Sequence, residues 1–174
     1  MAFATSSILG ADFNNSSTTQ MFALNTKALG NNDSEFHYVI ATAALATGQI
    51  CYIQFQGTAD VMTTGAWAGA GLPVGVSGNM DIGIAQTAIA AGSYGWVAKK
   101  GQNLYVLCSG TCPSGVPVGF TNSGTLVTAG NVAVSLTAMG IFITTSASTG
   151  TASVANALVT YPRAIGQNGT GLVL

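Results

Sequence analysis

Beyond the first 34 residues, hydrophobic side chains recur with the two-residue period of β-strands. The segment Phe36–Ile40 combines aromatic and β-branched residues, which favour an extended strand. Within Gly48–Gly57, Cys51, Ile53 and Phe55 alternate with a more polar set of side chains, so we expect the face of these three residues to point inward. The same pattern predicts further strands at Leu72–Val76, Asp81–Thr87, Tyr94–Ala98, Asn103–Cys108, Val116–Phe120, Thr125–Val127, Ala138–Thr144 and Ala157–Tyr161.

Most of these predicted strands are bounded by residues that form tight turns, as in Ser77-Gly78-Asn79, Lys100-Gly101-Gln102-Asn103 and Asn122-Ser123-Gly124. Many short strands at spacings of about 8–12 residues are typical of a β-sandwich or a barrel. We therefore predict an all-β fold of short antiparallel strands. Two alanine-rich stretches, Ala41–Thr47 and Thr151–Ala157, are compatible with one additional short helix.

The first 34 residues follow neither the helical nor the strand period. They are rich in asparagine, serine and threonine, as in Asn14–Gln20 and Asn31–Ser34. We therefore predict an extended N-terminal arm over residues 1–34 that lies outside the core, and a β-rich domain over residues 35–174. A neighbouring subunit is the expected partner of the arm.

Only 9 of the 174 residues are charged, or 5%, and the formal net charge is −1. About 25% is usual. Four scattered cations cannot form the basic stripe that neutralises a phosphate backbone, which excludes a nucleic-acid partner. Glycine, alanine, threonine and serine make up close to half of the chain, and so little charge gives almost no repulsion between copies. We expect a subunit of a homo-oligomer.

The mean hydropathy of +0.48 raises the question of a membrane protein. The longest dense apolar run, Val132–Ile143, is followed by threonine and serine and is too short for a membrane helix, which needs about 20 residues. The segment Met1–Thr5 has no basic residue ahead of its apolar positions, unlike a secretory signal. We expect no membrane partner and synthesis in a cytoplasm.

Cys51, Cys108 and Cys112 are odd in number, which argues against a disulfide framework. A Cys108–Cys112 bond formed after release into an oxidising medium remains open. Structural zinc sites usually show paired Cys-x2-Cys or Cys/His knuckles, and this spacing differs, so we expect buried or loop thiols and no metal.

Candidate catalytic residues are sparse. The single histidine, His37, lies in a predicted strand, where a satisfied hydrogen bond is more common than a role as ligand or base. The five carboxylates are dispersed, and neither a Gly-x-Ser-x-Gly elbow nor a phosphate-binding loop occurs. We predict that the protein is not an enzyme and uses no cofactor.

One stretch of the chain resembles a known family of proteins in the order of its residues. Pro73-Val74-Gly75-Val76 is followed by an alanine- and glycine-rich strand from Ile84, the step Tyr94-Gly95-Trp96-Val97 and a turn at Gly101. This order resembles the head decoration, or cement, proteins of tailed bacteriophages. Supporting elements in the same order are Lys27–Gly30, Glu35–Val39, Gly48–Ile53, Ser114–Val118, Gly124–Leu126 and Tyr161–Arg163, so that the resemblance covers roughly residues 24–163.

The resemblance implies a small β-rich virion protein, commonly a homotrimer, on the outer surface of the capsid. Its expected partner is the major capsid protein, whose subunits it would bridge and reinforce. The composition permits this role, because a weakly charged surface of small residues can approach another backbone closely and an extended arm can add a strand to a sheet edge.

Five residues are candidate interface contacts. Tyr94 and Trp96 are interpreted as an aromatic anchor, since these residue types dominate binding energy at interfaces; the alternative is a tight turn into a buried strand, with Trp96 filling the core. Lys99 and Lys100 could pair with an acidic capsid surface or mark a solvated strand end. Trp67 lies in a glycine-rich loop and is a candidate interface aromatic.

A second function from another class stays open. Trp67, Tyr94 and Trp96 could stack on sugar rings in a carbohydrate-binding or adhesion module displayed on a particle. A glycan array, or the finding that these aromatics are buried, would separate this hypothesis from the structural one.

Overall fold

The computed structural model describes residues 10–54, 56–61, 81–121, 123–128, 136–147 and 153–166. These residues form ten strands and no helix, so the fold is all-β, as the sequence predicts. The strands are β1 (Lys27–Leu29), β2 (Glu35–Ala41), β3 (Ile50–Ile53), β4 (Thr58–Val61), β5 (Asp81–Ala85), β6 (Tyr94–Cys108), β7 (Val118–Phe120), β8 (Leu126–Thr128), β9 (Leu136–Thr145) and β10 (Ser153–Gly166).

The ten strands form one sheet that curls back on itself twice, with β6 common to both turns. The first ring runs β2–β4–β3–β5–β6 and closes through the pairing of β6 with β2. The second ring runs β6–β10–β9–β7–β8 and closes where Cys108 of β6 pairs with Leu126 of β8. All neighbours are antiparallel except β2–β4 and β6–β8. β1 extends the sheet beyond β2.

The strands of the first ring are buried on both faces because alternate residues enter different cores. Val39, Cys51, Ile53 and Val97 belong to a small core made by all five strands of this ring. The intervening residues, such as Trp96, enter a larger core with side chains of the second ring. The prediction that Cys51 and Ile53 point inward is confirmed.

Two local features differ from what the sequence indicates. The turn predicted at Lys100–Asn103 is instead part of one continuous strand, since Gly101 (φ +150°) and Asn103 (φ +55°) bend β6 without ending its pairing with β10. The alanine-rich stretch Thr151–Ala157, which was compatible with a short helix, instead leads into a strand, because β10 begins at Ser153.

The other alanine-rich stretch is not helical either. β2 continues to Ala41, and Leu45 makes an isolated bridge to Ile89. Strands β1 and β4 had no counterpart in the sequence pattern. Three predictions lie outside the described residues: the strand Leu72–Val76, the interface role of Trp67 and the inward orientation of Phe55.

The described part of the predicted arm, residues 10–34, is extended but packs on the sheet. Phe13 is fully buried and stacks on Phe36 with 4.3 Å between ring centroids. Ser17 and Tyr94 exchange two backbone hydrogen bonds of 2.9 and 2.8 Å. This differs from the expectation that the arm lies outside the core, because Phe13 is buried against Phe36 of β2 and Trp96 of β6. Contact of the arm with a neighbouring subunit stays a prediction.

Candidate functional site

Ionic side chains gather at one end of the first ring. Glu35 and His37 precede Val39 on the inner face of β2, and Lys99 follows Val97 on the inner face of β6, so the alternation that fills the small core also brings these groups together. Asp81 starts β5 beside them. The contacts make three separate groups: His37 and Tyr161 contact Glu35, Lys99 pairs with Asp81, and Lys100 pairs with Asp33 on the opposite face of β6. We call these seven residues together the charge cluster.

Lys99 is the most deeply buried charge of this cluster. Its side chain is 3% exposed, and its Nζ lies 2.9 Å from Oδ1 of Asp81, whose side chain is 62% exposed. Burial lowers the pKa of Lys99, while the Asp81 carboxylate opposes that effect. Close to it, burial raises the pKa of the Cys51 thiol to about 12, so that Cys51 stays protonated and a poor nucleophile.

Glu35 connects β2 with β10. Its Oε1 lies 3.1 Å from His37 Nε2, and its Oε2 accepts a 2.7 Å hydrogen bond from the Tyr161 hydroxyl on β10. Burial would raise the pKa of Glu35, but the hydrogen bonds from Tyr161 and His37 outweigh it and the pKa falls below its ordinary value. Glu35 is therefore a carboxylate at neutral pH.

His37 is neutral under the same conditions. Burial is the largest cause that lowers its pKa, and the cations Lys99 and Lys27 act in the same direction, whereas Glu35 opposes them. The expectation of a strand histidine with a satisfied hydrogen bond is confirmed by its contact with Glu35. With its proton on Nε2, the imidazole donates to the carboxylate.

We expect acid to destabilise the fold through this pair. The pKa of His37 is lower in the folded than in the unfolded protein, so stability is lost as the pH falls below about 6.5, the ordinary value. The pKa of Glu35 is also lowered, so further stability is lost as the pH falls through its folded value. Urea unfolding from pH 8 to about pH 5 should give a falling free energy of unfolding in the wild type.

The matched control is His37→Gln, which keeps an amide donor near Glu35 and cannot titrate. Its free energy of unfolding should depend less steeply on pH below about 6.5 than that of the wild type. Identical pH profiles for the two proteins would show that His37 does not couple protonation to folding.

The two aromatic candidates lie in a cluster of rings. Trp96 is 2% exposed and contacts Phe13, Phe22 and Tyr38 at centroid distances of 5.0–5.3 Å. The alternative in which Trp96 fills the core is therefore confirmed, and the indole is not available to a partner in this conformation. Tyr94 is half-buried and stacks on Tyr38 at 6.1 Å.

The two lysine candidates already have partners within the chain. Lys99 is buried against Asp81, which corrects its interpretation as a solvated strand end, because the inner face of β6 carries it into the ring. Lys100 points the other way, is 32% exposed and lies 2.8 Å from Asp33. Trp67 lies outside the described residues.

An exposed apolar surface on β6, β9 and β10 was missed by the sequence reasoning. Phe142 is 59% exposed and faces Leu158 across the β9–β10 ladder, while Val154 is 46% exposed and faces Leu107 across the β6–β10 ladder. We call these four residues the apolar face. A signal was present in the unbroken run Ile141–Ile143, since a strand with apolar residues at consecutive positions presents them on both faces.

The described residues contain no group of three His, Cys, Asp or Glu side chains that could hold a metal ion. Within the same ranges, no helix is long and apolar enough to span a bilayer.

The chain matches no protein-family model, and no curated protein matches it.

Proposed function

We propose that this chain is a structural virion protein that decorates the outer surface of a bacteriophage capsid and stabilises it by bridging major capsid subunits. The observation that carries the proposal is the apolar face, in which Phe142 on the β9–β10 ladder and Val154 on the β6–β10 ladder are exposed. Exposed apolar side chains grouped in this way are typical of surfaces that contact another protein.

The positions of the residues that carry the resemblance to cement proteins also support a capsid-decorating role. Tyr94-Gly95-Trp96 begins β6, the strand shared by both rings, and Glu35–Val39 lies in β2 beside it. The segments that resemble cement proteins therefore include β2 and the start of the central strand β6, and Leu107 of the apolar face lies near the other end of β6.

The distribution of charge also favours contacts made by apolar groups and backbone. Lys99 and Lys100 pair with Asp81 and Asp33 of their own chain, which leaves these cations less able to bind an acidic capsid surface. A homotrimer would join several modest contacts into a stable attachment through high effective concentration.

We expect heads that carry the protein to resist heat and osmotic shock better than undecorated heads, since a ligand of the assembled lattice stabilises that state by mass action. The measurement compares the temperature of DNA release from heads of a phage that lacks the gene, before and after the purified protein is added. The protection should change little between low and physiological salt, because few ion pairs are available to be screened.

Phe142→Ser tests whether the apolar face makes the attachment. This variant should bind the heads more weakly, whereas Val116→Ser, at a side chain that is 39% exposed outside both the apolar face and the N-terminal segment, should bind as the wild type does. Equal release temperatures with and without the protein, or a steep loss of binding with salt, would contradict the proposal.

The alternative of a carbohydrate-binding module has less support. Of the three aromatics that would stack on sugar rings, Trp96 is buried and Tyr94 is half-buried against Tyr38.

A further inference from the structure

Two of the three cysteines flank the turn that follows β6. Cys108 is the last residue of the strand, and Cys112 follows a turn in which Gly110 has φ +95°. Both residues are fully buried in the larger core. Cys51 is also buried but belongs to the small core of the first ring, where its thiol contacts the Gly83 carbonyl oxygen at 3.5 Å.

The Cys108 and Cys112 side chains interact with each other across this turn, which raises the pKa of Cys108 and lowers that of Cys112. Two thiols that interact across a single turn and are buried in the same core are candidates for a disulfide.

We propose that Cys108 and Cys112 form an intrachain disulfide when the chain meets an oxidising medium, and that this bond fixes the turn that follows β6. The disulfide is a covalent modification of the chain, and its formation does not depend on the proposed attachment to capsids.

The reaction balances with a small-molecule disulfide, such as oxidised glutathione, as the oxidant. The Cys112 thiolate attacks one sulfur of the oxidant and releases one glutathione thiolate, which leaves a mixed disulfide on Cys112. Cys108 then loses its proton to solvent and attacks the Cys112 sulfur, which expels the second glutathione thiolate. The two cysteines are oxidised by two electrons, and the oxidant is reduced to two thiols.

The bond would form where the second ring is closed by few contacts. The only β6–β8 strand pair among the described residues is Cys108–Leu126. The following turn is held by the hydrogen bonds Ser109 N to Leu126 O at 2.7 Å and Ala147 N to Cys112 O at 3.2 Å. A link between Cys108 and Cys112 would restrict the conformations of this turn, whose backbone contacts Leu126 of β8 and Ala147 after β9.

Burial determines when the reaction can take place. Neither thiol is accessible in the folded chain, so the oxidant reaches them during folding or when the turn opens locally. Oxidation should therefore be fast during refolding and slow in the native protein.

The test is to refold the full chain from denaturant in a mixture of reduced and oxidised glutathione. The product should be about 2 Da lighter than the reduced chain, carry no glutathione and retain one free thiol. Peptide mapping should place the bond between Cys108 and Cys112. The melting temperature should rise by about 4–8 °C relative to the reduced protein, as expected for a short closed loop in a chain of this length, and a reductant should reverse the rise.

Two variants provide controls. Cys51→Ala should still lose about 2 Da, whereas Cys112→Ala should not. The wild-type peptide map decides the question even where a variant fails to fold. A stable glutathione adduct, a bond that includes Cys51, an unchanged mass or a melting temperature that does not rise on oxidation would each overturn the proposal.

Discussion

Replacing Phe13 by alanine is expected to lower the free energy of unfolding by about 3–5 kcal/mol. The Phe13 ring is fully buried, stacks on Phe36 at 4.3 Å and meets the edge of Trp96 at 5.3 Å. Its removal leaves a cavity between the N-terminal segment and the sheet, and also breaks two aromatic contacts that add to simple burial. Urea denaturation followed by tryptophan fluorescence would measure the loss.

Phe142→Ala is the matched control, since it makes the same substitution at a side chain that is 59% exposed. Its effect on the free energy of unfolding should be well below that of Phe13→Ala. Equal effects for the two variants would mean that residues 10–34 do not belong to the core, as the sequence pattern had indicated.

The second large effect is expected for Gly48→Ala. Gly48 has φ +77°, a region that costs a residue with a Cβ about 1–2 kcal/mol. A Cβ at this position would also lie 2.7 Å from the backbone nitrogen of Leu107. Because backbone cannot rotate away as a side chain does, β6 must shift, at a further cost of about 1–3 kcal/mol. That shift would strain the 2.7 Å hydrogen bond from Leu107 N to Gly48 O.

Gly92→Ala separates the two contributions. Gly92 has a similar φ of +74°, but no atom lies within 4 Å of the position of its Cβ. This variant should lose only the conformational cost, so the difference between the two free energies of unfolding measures the close approach to β6. An equal loss in both variants would show that the contact with Leu107 is relaxed at no cost.

The all-β fold could be predicted because strand periodicity depends only on which side chains are buried. Local signals did not predict how the strands continue. Gly101 and Asn103 favour a turn, yet pairing with β10 on one side keeps β6 extended through them. Phe13 is an isolated aromatic among polar residues, and its burial depends on Phe36 and Trp96, which are distant in sequence.

The candidate contacts were harder to predict than the fold. Side chains alternate between the two faces of β6, which places Lys99 on the same face as Val97 and Lys100 on the opposite face. The burial of Lys99 could therefore have been inferred once the inner face of β6 was known. The partner Asp81 lies on another strand and has no signal in the sequence near Lys99. The apolar face depends on the β9–β10 register, which only the folded chain defines.

A cryo-EM map of virions of the phage that encodes this chain would test the proposed function most directly. The account predicts density for the ten-stranded fold on the outer surface of the head, between major capsid subunits, with Phe142 and Leu158 turned toward a neighbouring chain. A head surface without this density, or the fold located only on the tail, would contradict it.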